Sequence, residues 1–146
     1  MIDKKDENIL SVLRKNARLS MQALSKKLNM PTTTVYNRIK KLEEDGVIEQ
    51  YTVKVNEQKA GKTITAYIGI VFNYDELKKN GITQHDIAKQ CREKENVQLA
   101  DVITGGNDMI IKVTARDVNE MDKFVTSYIQ NFPGVERTNT MIVLGE

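Results

Sequence analysis

The chain has 146 residues, 40% hydrophobic and 29% charged, with a net charge of +2 and a single cysteine, Cys91. That cysteine count excludes an intramolecular disulfide framework or a cysteine metal site, and no apolar run approaches the roughly 18 residues of a membrane span. The length suits one domain with a good core or two small units, and the division of charge favours two. Residues 1 to 60 hold 12 Lys/Arg against 8 Asp/Glu, whereas residues 61 to 146 hold 10 against 12. Within the first part, the run from Asn8 to Leu42 carries Arg14, Lys15, Arg18, Lys26, Lys27, Arg38, Lys40 and Lys41 and no acid, a local basic footprint. The opening Met1-Ile2-Asp3-Lys4 is unlike a signal peptide, so a soluble protein of the reducing cytoplasm is expected.

Asp3 begins an Asp-x-x-Asp cap pattern, and Ile9, Leu10 and Leu13 recur after it at helical spacing, predicting a first helix that ends near Asn16. Ser20 is an N-cap for a second helix with Leu24 and Leu28 facing inward. Pro31 disfavours helix at Met30 but is tolerated in the first turn of a new helix, so a third helix begins at Thr32 or Thr33 and ends at Gly46. With Thr33 at zero, Val35, Ile39 and Leu42 fall at about 200°, about 240° and about 180°, one inward stripe. Thr33, Asn37, Lys41, Thr34 and Arg38 fall at about 0°, about 40°, about 80°, about 100° and about 140°, a polar arc of hydroxyl, amide and cationic donors. Such an arc suits a reader of the DNA major groove: Arg and Asn pair bidentately with purine edges, Thr offers a methyl to thymine, and Lys neutralises a phosphate. An isolated polar arc is more often a solvated helix face; the preceding helix, the break and the basic run favour the groove reading.

From Val47 to Val55 the pattern switches to period two, with Tyr51, Val53 and Val55 on one face, as expected of a two-stranded ribbon that would complete a winged helix-turn-helix over residues 1–55. Residues 56–62, polar and aperiodic, are the expected linker to a second domain over 63–146. That second part reads strand, helix, strand, strand, helix, strand, an α+β ferredoxin-like βαββαβ sandwich. Its strands are expected at Ile64 to Asn73, Val97 to Thr104, Asp108 to Arg116 and Val135 to Leu144, its main helices at Thr83 to Glu95 and Val118 to Phe132, with a short helical turn at Asp75 to Lys79. Strands one and four, read as outer strands, are apolar on both faces. Two helices cover only one face of such a sheet, so a second copy is expected on the other, as an isologous homodimer.

The turn Thr104-Gly105-Gly106-Asn107-Asp108 is a second candidate site. Glycines let successive backbone N–H groups converge on an anion, Asp108 can hold an ammonium, and Thr138 and Thr140 can add hydroxyls; together they suit a free amino acid, although such a turn is first of all a hairpin. His85 stands without ligand partners or a nearby nucleophile, so neither a metal site nor catalysis is expected, and no cofactor beyond an amino-acid effector.

Three stretches together resemble the Lrp/AsnC, or feast/famine, family of transcription regulators over essentially the whole length. They are Ile2-Asp3-Lys4-Lys5-Asp6 with Ile9-Leu10; Thr34-Val35 through Arg38-Ile39 and Leu42-Glu43 to Gly46-Val47-Ile48 and Tyr51-Thr52; and Phe132-Pro133-Gly134-Val135 with Thr138, Thr140 and Ile142-Val143-Leu144. The resemblance implies a helix-turn-helix N-terminal domain, a ferredoxin-like C-terminal domain that dimerises, assembly of dimers into larger rings, and frequent amino-acid effectors at dimer–dimer contacts, the effector site here falling on Gly105 and Asp108; the expected partners are double-stranded DNA, further copies of the chain in a dimer, tetramer or octamer, and the transcription machinery. This chain departs from the family pattern at Ala23, Ser25, Pro31 and Asn107, which replace Glu, Ala, Ser and an aromatic residue. The expected function is therefore sequence-specific regulation of transcription on pseudo-palindromic double-stranded DNA. Two alternatives stay open: a free-standing amino-acid sensor that controls an enzyme, and an RNA-binding protein that uses its sheet.

Overall fold

The computed structural model describes residues 2–145. The chain divides into two compact units, one up to Lys54 and one from Val55.

In the first unit, α1 (Lys4–Lys15) is closed by a capping box: Asp3 Oδ1 accepts from the Asp6 N–H at 3.0 Å, and Asp6 Oδ2 accepts from the Asp3 N–H at 3.0 Å. Ser20 Oγ accepts from the Ala23 N–H at 3.1 Å and starts α2 (Met21–Leu28). Asn29 then turns left-handed at φ 50°, and Pro31 sets the entry to α3 (Thr32–Glu44). Ile9, Leu24, Val35, Ile39 and Leu42 make the buried core, rimmed by Leu13, Leu28, Met30 and Ile48.

The expected ribbon is not formed. Among the described residues, 47–63 contain no strand, and Tyr51 and Val53 remain exposed. A ribbon needs a second strand to take up its backbone N–H and C=O groups, and the first unit supplies none. The segment is tied back to α3 at its start, where the Val47 and Ile48 N–H groups donate to the Leu42 carbonyl at 2.9 and 3.0 Å, and by the Tyr51 hydroxyl, which donates to Glu43 Oε1 at 2.6 Å. Nor is 56–62 a free linker: the Lys62 N–H donates to the Glu57 carbonyl at 2.8 Å, and Gln98 Nε2 holds Glu57 Oε1 at 2.9 Å, so the segment folds as a turn within the second unit.

That unit has the expected order: β1 (Ile64–Phe72), α4 (Tyr74–Lys79), α5 (Gln84–Arg92), β2 (Val97–Val102), β3 (Met109–Ala115), α6 (Val118–Lys123) and β4 (Val135–Ile142). After Lys123 the helix widens through Phe124–Tyr128 and tightens at Ile129–Asn131. The four strands are antiparallel in the order β2-β3-β1-β4, so β1 is a central strand, not an outer one. Its backbone is paired on both edges, by β3 and β4, while its two faces differ: Ile68 and Ile70 lie under the helices and Tyr67 and Gly69 on the opposite face. Gly134, at φ 79°, makes the turn into β4 where a Cβ would meet Leu77 Cγ at 2.8 Å.

Register assigns the faces. Ala100, Ile111, Ile68 and Thr140 form one row across the sheet, and Val102, Met109, Ile70 and Thr138 the next. Ile68, Ile70, Met109 and Ile111 are fully buried in one core with Ile87, Cys91, Met121 and Ile129, so this is the helix-covered face. The opposite face carries the rows Leu99, Lys112, Tyr67, Met141 and Asp101, Ile110, Gly69, Asn139. Leu99 and Met141 are exposed there.

Cys91 lies at 0% exposure, and burial pushes its thiol up to about 11. Because the thiolate is the reacting form, an aromatic disulfide reagent at pH 8 is expected to leave the folded protein unlabelled and to titrate one thiol per chain in denaturant. Rapid labelling of the native protein contradicts this packing.

Candidate functional site

On α3, the core stripe Val35, Ile39 and Leu42 turns the polar arc outward. Thr33, Asn37 and Lys41 are exposed and Thr34 is half-buried. Among the described residues, neither Asn37 nor Lys41 has a side-chain hydrogen bond or ion pair. Tyr36, 53% exposed, and Lys40 extend the face on its far side. They fall at about 300° and about 340° on the same wheel, next to Thr33, so continuing the arc past zero was the signal that sequence reasoning missed.

Arg38 does not join this face. Its Nη1 donates to Asp3 Oδ2 at 2.7 Å and to Asp6 Oδ1 at 2.8 Å, with the side chain 28% exposed. Asp6 and then Asp3 raise the guanidinium above its ordinary value, while the Asp6 N–H and then Arg38 lower the Asp3 carboxyl. Arg38, expected among the base-contacting residues, is thus held by the first turn of α1 and is not presented together with Thr33, Asn37 and Lys41. At about 140° it stands only about 40° from Leu42, at the margin of the core stripe, and there it meets the first turn of α1. The free cations lie elsewhere: among the described residues of this unit, Lys5, Arg14, Lys15, Arg18, Lys26, Lys27 and Lys41 have no ion pair.

The glycine turn is built more tightly than a free loop. The Asp108 N–H donates to the Ile70 carbonyl at 2.8 Å. Asp108 Oδ2 accepts from the Phe72 N–H at 2.8 Å, and Oδ1 accepts from the Tyr74 hydroxyl at 3.0 Å. Gly105 and Gly106 are exposed, with Gly105 at φ 129°. Asn107 folds over the open face of the sheet, where a Cβ on Gly69 would lie 2.6 Å from its Oδ1. Thr138 and Thr140 point to the helix-covered face, and Thr138 Oγ1 accepts from Gln130 Nε2 at 3.3 Å. The six residues expected to form one effector site are thus not brought together. Gly105 to Asp108 form one cluster, and the two threonines lie across the sheet from Asn107. Beside the turn, Tyr74 also lines an open cleft of 320 Å³ with Leu77, Ile82 and Lys78.

A three-helix unit with a helix-turn-helix is thus followed by an α+β unit with a four-stranded antiparallel sheet. A model of winged helix-turn-helix DNA-binding domains matches residues 2–49, and one of Lrp/AsnC ligand binding domains matches residues 74–146. An HTH-type transcriptional regulator of Pyrococcus furiosus is 40% identical over 98% of this chain and 91% of its own length. One from Pyrococcus horikoshii is 37% identical over 97% and 92%. Among solved structures, a transcriptional regulator of Neisseria meningitidis in complex with L-Met superposes with a TM-score of 0.86 at 25% identity, covering 100% of this chain and 92% of that one. AsnC of E. coli does so with 0.76 at 26% identity, covering 100% and 94%. The chain belongs to the Lrp/AsnC family of helix-turn-helix transcription regulators.

Proposed function

We propose that this regulator binds pseudo-palindromic promoter sites on double-stranded DNA as a dimer or an assembly of dimers, and that a free amino acid adjusts that binding. The observation that carries the reading is the unpartnered arc Thr33, Asn37 and Lys41 on α3, flanked by the unpaired cations of the same unit. A two-fold assembly presents two such helices to half-sites about one helical turn apart, or a multiple of it. The open sheet face, with exposed Leu99 and Met141 beside Tyr67 and Ile110, supports pairing of two copies there. For the RNA alternative, that face offers a single ring, Tyr67, with Lys112 Nζ 5.6 Å from its centroid, and no row of stacking aromatics.

Titrating a labelled promoter duplex at several salt concentrations tests the proposal. Expected are two chains per half-site pair and a log affinity that falls steeply with log salt. Salt-independent binding, or one chain per site, contradicts it.

For the effector, the Asp108 carboxylate and the Gly105-Gly106 backbone support recognition of an ammonium and a carboxylate, and the L-Met complex of the Neisseria regulator supports an amino acid as the class. Asp108→Ala is expected to abolish the amino-acid response of DNA binding while the protein still self-associates. It also leaves the Phe72 N–H without its partner, so a loss of about 1–3 kcal/mol in the second unit is expected in urea unfolding. A retained response moves the effector elsewhere, first to the cleft beside Tyr74.

A further inference from the structure

We infer that Arg38 is a positioning residue for DNA recognition: it locks α3 to the capping box of α1, so that the arc of Thr33, Asn37 and Lys41 meets the groove in one pose. The inference rests on the proposed DNA reading and concerns how that reading is achieved.

The geometry is a closed network of four hydrogen bonds. Each carboxylate spends one oxygen on the cap and the other on the arginine. Asp3 Oδ1 takes the Asp6 N–H and Asp3 Oδ2 takes Arg38 Nη1; Asp6 Oδ2 takes the Asp3 N–H and Asp6 Oδ1 takes Arg38 Nη1. One side chain therefore links the start of α1 to the middle of α3 across 32 and 35 residues of chain. The apolar contacts of Ile9, Val35, Ile39 and Leu42 hold the helices together, but the attraction they supply is non-directional. Charge-assisted hydrogen bonds are directional, and they fix α3 against the start of α1. Two acids against one arginine also leave a net negative charge beside the reading face.

That charge gives the test its opposite signs. If electrostatics alone governed, converting Asp3 and Asp6 to amides would add two units of positive charge and tighten binding to every duplex. Positioning predicts that Asp3→Asn/Asp6→Asn, in the full chain and on its selected site, weakens specific binding about tenfold while non-specific binding is unchanged or tighter. Asn remains a good N-cap, so α1 is expected to keep its helical circular-dichroism signal. Arg38→Met should match the double variant. Combining all three substitutions should cost no more than either set alone. Arg38→Lys, which keeps the charge and one multiply donating nitrogen, should retain more of the specific binding than Arg38→Met.

Tighter or unchanged specific binding by Asp3→Asn/Asp6→Asn overturns the inference, as do additive losses in the triple variant. A wild-type chain that selects no duplex marks the failure of the DNA reading itself, which is a different result from wild-type-like site binding by the double variant.

Discussion

Replacing Leu24 with alanine is expected to unfold the helical unit and abolish duplex binding while the sheet-bearing unit stays folded. Leu24 has 0% exposure and belongs to a buried core of five side chains. Truncation of a buried leucine removes its burial and leaves a cavity, a cost of about 2–5 kcal/mol. A unit of this size has a total stability of only about 3–8 kcal/mol at the usual 0.05–0.15 kcal/mol per residue. The substitution therefore removes from about a quarter to all of it. The second unit has its own core, from Ala66 to Ile129, to which Leu24 contributes nothing. Amide spectra should show the loss of dispersed signals from α1 to α3 with those of the four strands retained. Concerted loss of both sets would show instead that the units unfold as one.

The second large effect separates reading from attraction on α3. Asn37 is central in the exposed arc, and its amide can pair bidentately with adenine. Asn37→Ala is expected to reduce discrimination at one position of each half-site by about 1–3 kcal/mol, with little change in binding to unrelated duplexes. Lys41→Ala should do the reverse. It should weaken all duplexes alike and reduce the salt slope by about 1, because an ammonium on a phosphate releases one counterion and carries no sequence information. Competition binding against single-base variants of the site, repeated at several salt concentrations, measures both quantities. Matching changes in the two variants would contradict this division of roles.

The features legible in the sequence have local causes. Asp3, Ser20, Pro31 and Gly46 each act on the residues beside them through a cap, a fixed φ or a left-handed turn, and the helix ends fall where they stand. The features that were not legible depend on partners distant in sequence. Alternation at Tyr51, Val53 and Val55 announces extended backbone, but a ribbon also needs a second strand, and none is within reach. Alternate positions put Thr138 and Thr140 on one face, yet which face is set by their pairing with Ile70 and Ile68. The two-faced apolar pattern of β1 is plain in the sequence, but its central place in the sheet is not, because that place is set by pairing with β3 and β4, both distant in sequence.

Arg38 shows the same limit within the site. Its residue type fits a guanine edge, and a charge count along the chain finds no acid from Asn8 to Leu42. The acids that bind it lie just before that run, and folding brings them across from α1. The contact of Asn107 with Gly69 left no trace in composition or spacing: a glycine in a strand has several explanations, and only the folded turn shows which applies.

Selection of bound duplexes from a random pool at physiological salt, with footprinting of the enriched sequence, tests the central claim most directly. The account predicts a pseudo-palindromic site with half-sites about one helical turn apart, or a multiple of it, protected by an even number of chains. Failure to enrich any sequence over non-specific binding, with and without a panel of free amino acids, would contradict it and reduce the exposed face of α3 to a solvated surface.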